Sequence, residues 1–427
     1  MALHMGNDVG GGVASAVSPA GVHHADFQLR AWKADASHVQ VLVHASPAGG
    51  MRQPVTGAFD PGRIADIRKA VEEDMAAAVG DLERMIDVGR GLAAVLLPEP
   101  VRTLLSRSLE RIRPGDGIRV RLCLDEDLID LPWEFLYLPP AEGGASLGGF
   151  LALDHRIALV REPPTTILRI SPSSSKQRLV FAGTLYSNPD NPDLWDVKGE
   201  HERLVTALSP VADYLSVPFV TAAGNSIEQA LASRAAIFHY SGHTDVAEGH
   251  GYLVRDLQDG QVGGTLLSEA LEALLVRAGT RLAAFSACNS GRWSFVGPLV
   301  RAGLPVVIGV QGTVFTVTAA AFFEKLYASL AIGMSLDEAV SWARLHLLEP
   351  GVGLAQNSSE WGAFMVYMPT TEAVLFPRPR TRAVHQRQEA ARRERQQTIV
   401  NVTQYIVTQN IGSNYGQVTG VANRAGQ

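Results

Sequence analysis

The fold is decided by two apolar runs that end in small polar residues: AAIFHYSGHTD, residues 235–245, and LAAFSACNSG, residues 282–291. Runs of this length, closed by Gly, Ser, Asn and Asp, are typical of buried parallel strands followed by loops. In open α/β sheets, functional side chains lie at the carboxyl ends of such strands. His243 lies in the polar end of the first stretch, and Cys288 lies in the polar end of the second. The sequence therefore predicts a base and a nucleophile at neighbouring strand ends.

A cysteine–histidine dyad of this kind activates a thiolate for attack on a carbonyl. The alternative is structural, because a lone Cys in an apolar run is usually a small buried hydrophobe, and a lone His near a strand end usually packs. Cys288 lies beyond its apolar run, and Gly242 before His243 permits close approach of the backbone. Spacing alone leaves both interpretations open.

Strand and helix patterns alternate along most of the chain, which indicates an α/β fold with a largely parallel sheet and helices on both faces. We expect a smaller α/β unit over residues 27–165 and a catalytic unit over residues 166–376. Residues 1–25 show no periodicity and are expected to be disordered. Residues 377–397 form a basic, Gln-rich linker, and residues 398–427 form a β-prone tail.

Within these units, helical spacing predicts helices over residues 63–87 and 97–112. The last strand of the second unit is expected at residues 361–368. Residues 302–323 carry no charge and are long enough to span a bilayer. Glycine and proline interrupt this segment, so we predict a buried strand over residues 304–310 and then a helix, rather than a membrane span.

Bulk composition narrows the functional classes. The chain has 427 residues, 46% of them apolar and 19% charged, which is typical of a soluble globular protein. Its formal net charge of −6 argues against nucleic-acid binding, which needs a concentrated basic face. Two cysteines, Cys123 and Cys288, build no disulfide framework, so we expect a cytoplasmic protein. Residues 1–21 lack the basic start and apolar core of a signal peptide.

The tail has the composition of a segment that stacks into fibrils. Residues 398–420 are rich in β-branched residues, Asn and Gln, and contain neither charge nor proline. These are features of cross-β zippers with ladders of amide side chains. A free chain should keep the segment disordered, because one short strand buries too little surface to offset its ordering entropy. An ordinary disordered tail or a final hairpin is the alternative.

Several further elements occur in a fixed order between residues 125 and 368. They are LPWEFL (131–136), FHYSGH (238–243), FSAC (285–288), FEKLY with GMSLDEA (323–327 and 333–339), and WGAF (361–364). In this order they resemble the CHAT family, caspase-like peptidases of the same clan as separase. The resemblance implies a caspase-like fold and a cysteine endopeptidase that cleaves protein substrates and needs no cofactor.

By this resemblance, His243 and Cys288 are the catalytic dyad, and the backbone N–H groups of Thr244 and Cys288 stabilise the oxyanion. The family usually has Gly directly after the catalytic His, where this chain has Thr244. Threonine keeps its N–H, so the oxyanion site survives if the local backbone is not one that only Gly adopts. The competing hypothesis, supported by Thr244, is a catalytically inactive adaptor that assembles through its tail.

His239, four residues before His243, raises the possibility of a zinc site with Cys288. Strand alternation places both His side chains on one face, but no fourth ligand is evident. We therefore expect no metal and a structural role for His239. Trp133 and Trp361 are expected in the core, between the two halves of the CHAT region.

The tail resembles bacterial amyloid signalling motifs and, through QNIGSN (residues 409–414), the RHIM core of necroptosis proteins. The resemblance implies self-assembly and recruitment by a receptor with a matching motif, as in a bacterial immunity or cell-death effector. Neither hypothesis involves a nucleic acid or a membrane. The residues expected to carry assembly are Gln409, Ile411, Gly412 and Asn414.

Overall fold

A computed structural model describes residues 24–77, 79–140, 146–163, 176–185, 196–256, 262–349, 351–352, 359–369, 375–376, 390–391 and 393–405. Its strands are β1 (His24–Lys33), β2 (His38–Ala45), β3 (Val55–Ala58), β4 (Gly117–Leu124), β5 (Ile157–Arg161), β6 (Gln177–Gly183), β7 (Leu215–Ser216), β8 (Phe219–Thr221), β9 (Ile237–Ser241), β10 (Thr244–Ala247), β11 (His250–Asp256), β12 (Val262–Leu267), β13 (Leu282–Ser286), β14 (Val306–Val310) and β15 (Phe364–Tyr367).

The α-helices are α1 (Pro61–Ala76), α2 (Leu82–Leu96), α3 (Glu99–Arg111), α4 (Glu126–Ile129), α5 (Val197–Ala207), α6 (Ser226–Leu231), α7 (Ser268–Ala278), α8 (Trp293–Arg301), α9 (Thr316–Ala331) and α10 (Leu336–His346). Residues 393–405 form a further helix, named here the C-terminal helix.

Within the described residues, the main sheet has twelve strands in the order β3-β2-β1-β4-β5-β15-β14-β13-β9-β6-β7, with β8 also beside β6. It consists of two parallel blocks that run in opposite directions: β1, β4 and β5 form one, and β14, β13, β9 and β6 form the other. β15 joins the blocks, because it is parallel to β5 and antiparallel to β14. The last strand predicted in the second unit therefore lies mid-sheet, and the sheet continues across the expected boundary at residue 166.

Helices cover both faces of this sheet. The His239 ring in β9 lies 4.8 Å from the Phe323 ring of α9, and the Phe285 ring in β13 lies 4.9 Å from the Phe295 ring of α8. Phe285 pairs with Tyr240, the residue after His239, so the rings of Phe285 and His239 point to opposite faces. The predicted α/β class, with a largely parallel sheet and helices on both faces, is confirmed.

A separate antiparallel sheet, β10-β11-β12, follows β9 directly, where the sequence predicts a loop. The turn between β10 and β11 has positive φ at both central residues, 52° at Glu248 and 83° at Gly249. Such a turn matches the twist of the strands that it joins. Thr244, the residue after His243, is the first residue of β10 and therefore belongs to an extended strand.

The two tryptophans predicted in the core are buried, with 0% of Trp133 and 1% of Trp361 exposed. The Phe135 ring lies 5.0 Å from the Trp361 ring, which joins the segment before β5 to the segment before β15. The apolar segment 302–323 forms the buried strand β14 and the start of α9, as predicted. Among the described residues, no helix is long and apolar enough to cross a membrane.

Two boundaries predicted from the sequence are wrong. His24 and Ala25, which were assigned to the disordered segment 1–25, begin β1, because β1 pairs with β4 from His24 onward. The helix predicted over residues 63–87 is two helices, because the Asp81 side chain accepts the Arg84 N–H and starts α2. Residues 1–23 lie outside the described residues.

The tail differs most from expectation. Residues 393–405 are helical, although residues 377–397 are predicted to be a linker and the segment from 398 onward a β-prone tail that is disordered in the free chain. Val402 is 3% exposed and belongs to the hydrophobic core, and Arg395 lies 2.6 Å from Glu338 of α10. Burial and pairing against α10 override the local strand preference. The expected disorder is therefore wrong for residues 398–405.

Candidate active site

The carboxyl ends of β9 and β13 lie side by side in register. Ser241 pairs with Ser286, and the Gly242 N–H donates to the Ser286 carbonyl oxygen at 3.2 Å. His243 and Cys288 each follow the paired serine by two residues. Register therefore places the two loops that carry the predicted dyad at the same position on the sheet edge.

His243 is exposed to solvent, and the backbone around it is constrained. Its carbonyl oxygen accepts the Val254 N–H at 2.9 Å, and a Cβ at Gly242 would collide with the Tyr240 hydroxyl, so the close approach needs glycine. Partial burial of the ring lowers the pKa of His243 below its ordinary value, although the Asp256 carboxylate acts in the opposite direction. The imidazole is therefore neutral at neutral pH and able to accept a proton.

Cys288 lies in a tight turn beyond β13. The Ser290 N–H donates to the Ala287 carbonyl oxygen at 3.3 Å, and Asn289 adopts the left-handed conformation with a φ of 60°. The Cys288 Sγ lies 3.9 Å from the Val314 carbonyl oxygen. Burial raises the pKa of the Cys288 thiol above its ordinary value, although hydrogen bonding to the Val314 backbone opposes the rise. In the free protein the group is therefore a thiol at neutral pH.

Thr244 connects the two loops. Its hydroxyl donates to the Cys288 carbonyl oxygen, and its backbone pairs with Leu253 in the antiparallel sheet. Among the described residues, the non-glycine positions with positive φ are Glu248 and Asn289. Thr244 thus has an extended backbone that any residue adopts, and the departure from glycine leaves its N–H in place.

A cleft of about 480 Å³ opens beside Cys288. Its volume is in the range of small-molecule and cofactor sites, about 300–1,000 Å³. The strand ends of β9 and β13 form one wall, α5 and α9 form others, and the end of α10 closes the far side. Its polar lining includes Glu200, Ser241, Ser286, Glu324 and His346.

Beside the cleft lies a buried polar network that sequence reasoning missed. Glu200 is 8% exposed, its Oε2 lies 2.6 Å from the Ser241 hydroxyl and its Oε1 lies 3.3 Å from His239 Nε2. His239 Nδ1 lies 3.3 Å from the Tyr327 hydroxyl, so both ring nitrogens of this buried histidine have polar neighbours. The available signal was a carboxylate on the apolar face of α5, three residues after Val197. In the part of the chain that the structure describes, no cluster of His, Cys, Asp or Glu is arranged to hold a metal.

The residues expected to mediate assembly lie outside the described residues. They are Gln409, Ile411, Gly412 and Asn414.

The chain is similar in structure to chains of solved structures from yeast and Drosophila. In two crystal structures of the Saccharomyces cerevisiae separase–securin complex, the similar chains are 13% and 12% identical over 73% and 72% of this chain, with TM-scores of 0.37 and 0.34. The similar region spans only 20% and 22% of those chains. The Drosophila initiator caspase Dronc is 8% identical over 51% of this chain and 97% of its own, with a TM-score of 0.31.

No curated protein matches this chain. A model of the CHAT domain matches residues 87–369, which is more than half of the 427 residues and includes the β9 and β13 strand ends. The chain belongs to the CHAT domain family.

Proposed function

We propose that this protein is a cysteine endopeptidase in which Cys288 is the nucleophile and His243 is the general base. The observation that carries the proposal is the register of β9 with β13, which brings the His243 and Cys288 loops together beside a cleft. Thr244 ties the loops through its hydrogen bond to the Cys288 carbonyl oxygen. A nucleophile and a base held on neighbouring strand ends are the minimal requirement for covalent acyl transfer.

The directions of the two pKa shifts indicate when the proton moves. A raised pKa at Cys288 and a lowered pKa at His243 favour the neutral thiol and imidazole over a preformed ion pair. Sγ therefore forms its bond to the peptide carbonyl carbon while the thiol proton passes to His243. Collapse of the tetrahedral intermediate breaks the C–N bond, and His243 gives the proton to the leaving amine. A water molecule, deprotonated by His243, then hydrolyses the thioester and restores the thiol.

The oxyanion of the tetrahedral intermediate is proposed to bind the backbone N–H groups of Thr244 and Cys288. This proposal is supported by the hydrogen bond from the Thr244 hydroxyl to the Cys288 carbonyl oxygen, which holds these two backbones next to each other. The extended backbone of Thr244 also keeps its N–H at a position that does not require glycine. Such donors stabilise the developing negative charge without reorganisation.

A peptide-library cleavage profile of the wild type beside Cys288→Ala tests the proposal. We expect the wild type to cleave a defined set of peptides and the variant to cleave none. Cleavage by the variant within about tenfold of the wild-type rate would remove Cys288 from the mechanism.

A catalytically inactive adaptor is the second candidate, and the raised pKa of Cys288 is the observation that favours it. Two thiol reagents discriminate between the candidates: a peptidyl chloromethyl ketone and iodoacetamide. A peptidase modifies Cys288 faster with the peptidyl reagent, because the peptide part binds in the cleft next to the thiol. An adaptor shows no such advantage for the peptidyl reagent.

We also propose that this protein is a cytoplasmic bacterial immunity or cell-death effector. Its tail would recruit it to a receptor that has a matching segment. Its support is the composition of residues 398–420, with repeated β-branched and amide side chains. Residues 398–405 must leave the C-terminal helix to join such an assembly, or the ordered β segment begins after Tyr405.

A peptide of residues 398–420 should form thioflavin-positive fibrils after a lag that seeds shorten. Ile411→Lys and Val418→Lys should block assembly of the full chain without changing the reactivity of Cys288. A chain that ends at Tyr405 should stay soluble while it retains that reactivity. If the peptide stays monomeric at high concentration even with seeds, the tail is only a tether.

A further inference from the structure

The C-terminal helix forms from a sequence that does not favour a helix by itself. Thr398, Ile399, Val400 and Val402 are β-branched, and such side chains lose rotamer freedom in a helix. Thr398 and Val402, one helical turn apart, are each 3% exposed, whereas Val400 is 47% exposed. The helix therefore depends on the surface against which its buried face packs.

That surface is provided by α9 and α10 and is complementary in charge. Arg395 Nη1 lies 2.6 Å from Glu338 Oε1, and Glu394 Oε1 lies 2.5 Å from Lys325 Nζ. The Arg395 guanidinium and the Lys325 ammonium lie 5.7 Å and 5.1 Å from the Trp342 ring. One ion pair thus reaches each of the two helices, with an aromatic ring between them.

The docked helix is connected to the cleft through two side chains. The Thr398 hydroxyl donates to Glu349 Oε1, and Glu349 Oε2 lies 3.2 Å from His346 Nδ1. Burial alone would raise the pKa of Glu349, but the neighbouring His346 ring and Thr398 hydroxyl hold it below its ordinary value. His346 lines the cleft that also contains Cys288. A contact made by the C-terminal helix therefore positions a side chain in the cleft wall.

We propose that the C-terminal helix is a latch on the cleft. When it is docked, it holds Glu349, and through Glu349 it holds His346 in the wall near Cys288. When it leaves, the end of α10 is released and the cleft opens. The inference rests on the proposed function, since it treats the cleft as the substrate site. Because residues 398–405 also begin the β-prone tail, any β assembly that takes up these residues undocks the latch.

Two substitutions on opposite faces of the same helix test the latch: Val402→Asp on the buried face and Val400→Asp on the exposed face. Hydrogen exchange reports docking, and mass spectrometry of the Cys288 peptide after iodoacetamide treatment reports access to the cleft. We expect Val402→Asp to speed exchange over residues 393–405 and to raise the alkylation rate of Cys288 by about fivefold or more. Val400→Asp should leave both unchanged.

A charge exchange guards against misfolding of the first variant. Glu394→Lys alone should weaken docking and raise alkylation, and adding Lys325→Glu should restore both towards wild type. The latch is overturned if the helix undocks in either variant while Cys288 alkylation stays within about twofold of wild type. Alkylation needs no proteolysis, so a failure of the proposed peptidase activity would appear in the cleavage profile and not in this measurement.

Discussion

The carboxyl ends of β5 and β13 differ in the surroundings of the polar side chain found there. At the end of β5, Arg161 is 1% exposed, lies 2.5 Å from Glu134 and donates to the Ile129 carbonyl oxygen. At the end of β13, Cys288 is only partly buried and lines a cleft of about 480 Å³. Arg161 is the last residue of β5, and Cys288 lies two residues beyond β13, both strands being buried parts of the same sheet.

A polar side chain at a strand end stays available for reaction when it is not held in a buried ion pair. Burial without a partner would be costly for Arg161, and Glu134 and the backbone supply the partners. Cys288 needs no such partner, because a thiol is weakly polar and tolerates an apolar wall. One block of the sheet therefore has a structural ion pair where the other has the candidate nucleophile.

The largest effect is expected at the carboxyl end of β13, beside the cleft. Cys288→Ala should reduce proteolysis by about 10⁴-fold or more, because it removes the proposed nucleophile. Thermal unfolding should stay close to wild type, since the side chain lies on a turn beyond the strand. Cleavage kinetics and a melting curve measure the two effects. A large loss of stability together with activity would mean that Cys288 is structural.

The carboxyl end of β5 should show the opposite response, a loss of stability without a change in the reactivity of Cys288. Glu134→Gln removes the carboxylate that pairs with the buried Arg161 and should reduce the free energy of unfolding by about 3–5 kcal/mol. The reactivity of Cys288, measured per folded molecule, should not change. Arg156→Gln is the matched control, because its pair with Asp154 is partly exposed and should matter by less than about 1 kcal/mol. Equal destabilisation by both substitutions would contradict a special role for burial.

A smaller effect is expected at Thr244, which connects the His243 and Cys288 loops through a hydrogen bond. Thr244→Val removes the hydroxyl that donates to the Cys288 carbonyl oxygen and should reduce kcat/KM by about tenfold, the equivalent of one hydrogen bond. Thr244→Ser keeps the hydroxyl and should stay near wild type. If both variants behave alike, the backbone of Thr244 and not its hydroxyl matters.

The smallest effect concerns pH. Burial lowers the pKa of His243 below its ordinary value of 6.5, so the imidazole stays neutral at pH values where a free histidine is already protonated. The kcat/KM value should therefore fall only at a lower pH. The Asp256 carboxylate raises this pKa, so Asp256→Asn should move the acid limb to still lower pH. The pH profile of kcat/KM measures both. A shift of the acid limb to higher pH would have the wrong sign for this assignment.

The sequence alone determined the class of the fold and the identity of the dyad candidates. Apolar runs of five residues that end in Gly, Ser or Asn are local signals, and local signals are enough to place His243 and Cys288 at strand ends. The same holds for Trp133 and Trp361, which lie in the LPWEFL and WGAF elements and are buried as expected.

Tertiary structure decided what depends on partners far along the chain. Glu200 enters the site through Ser241, 41 positions away, and Thr244 reaches Cys288 across 44 positions. The C-terminal helix shows the same dependence, since its β-branched residues predict a strand and only the surface of α9 and α10 makes them helical. Local propensity is worth less than about 1 kcal/mol per residue, so burial of Val402 and two ion pairs outweigh it.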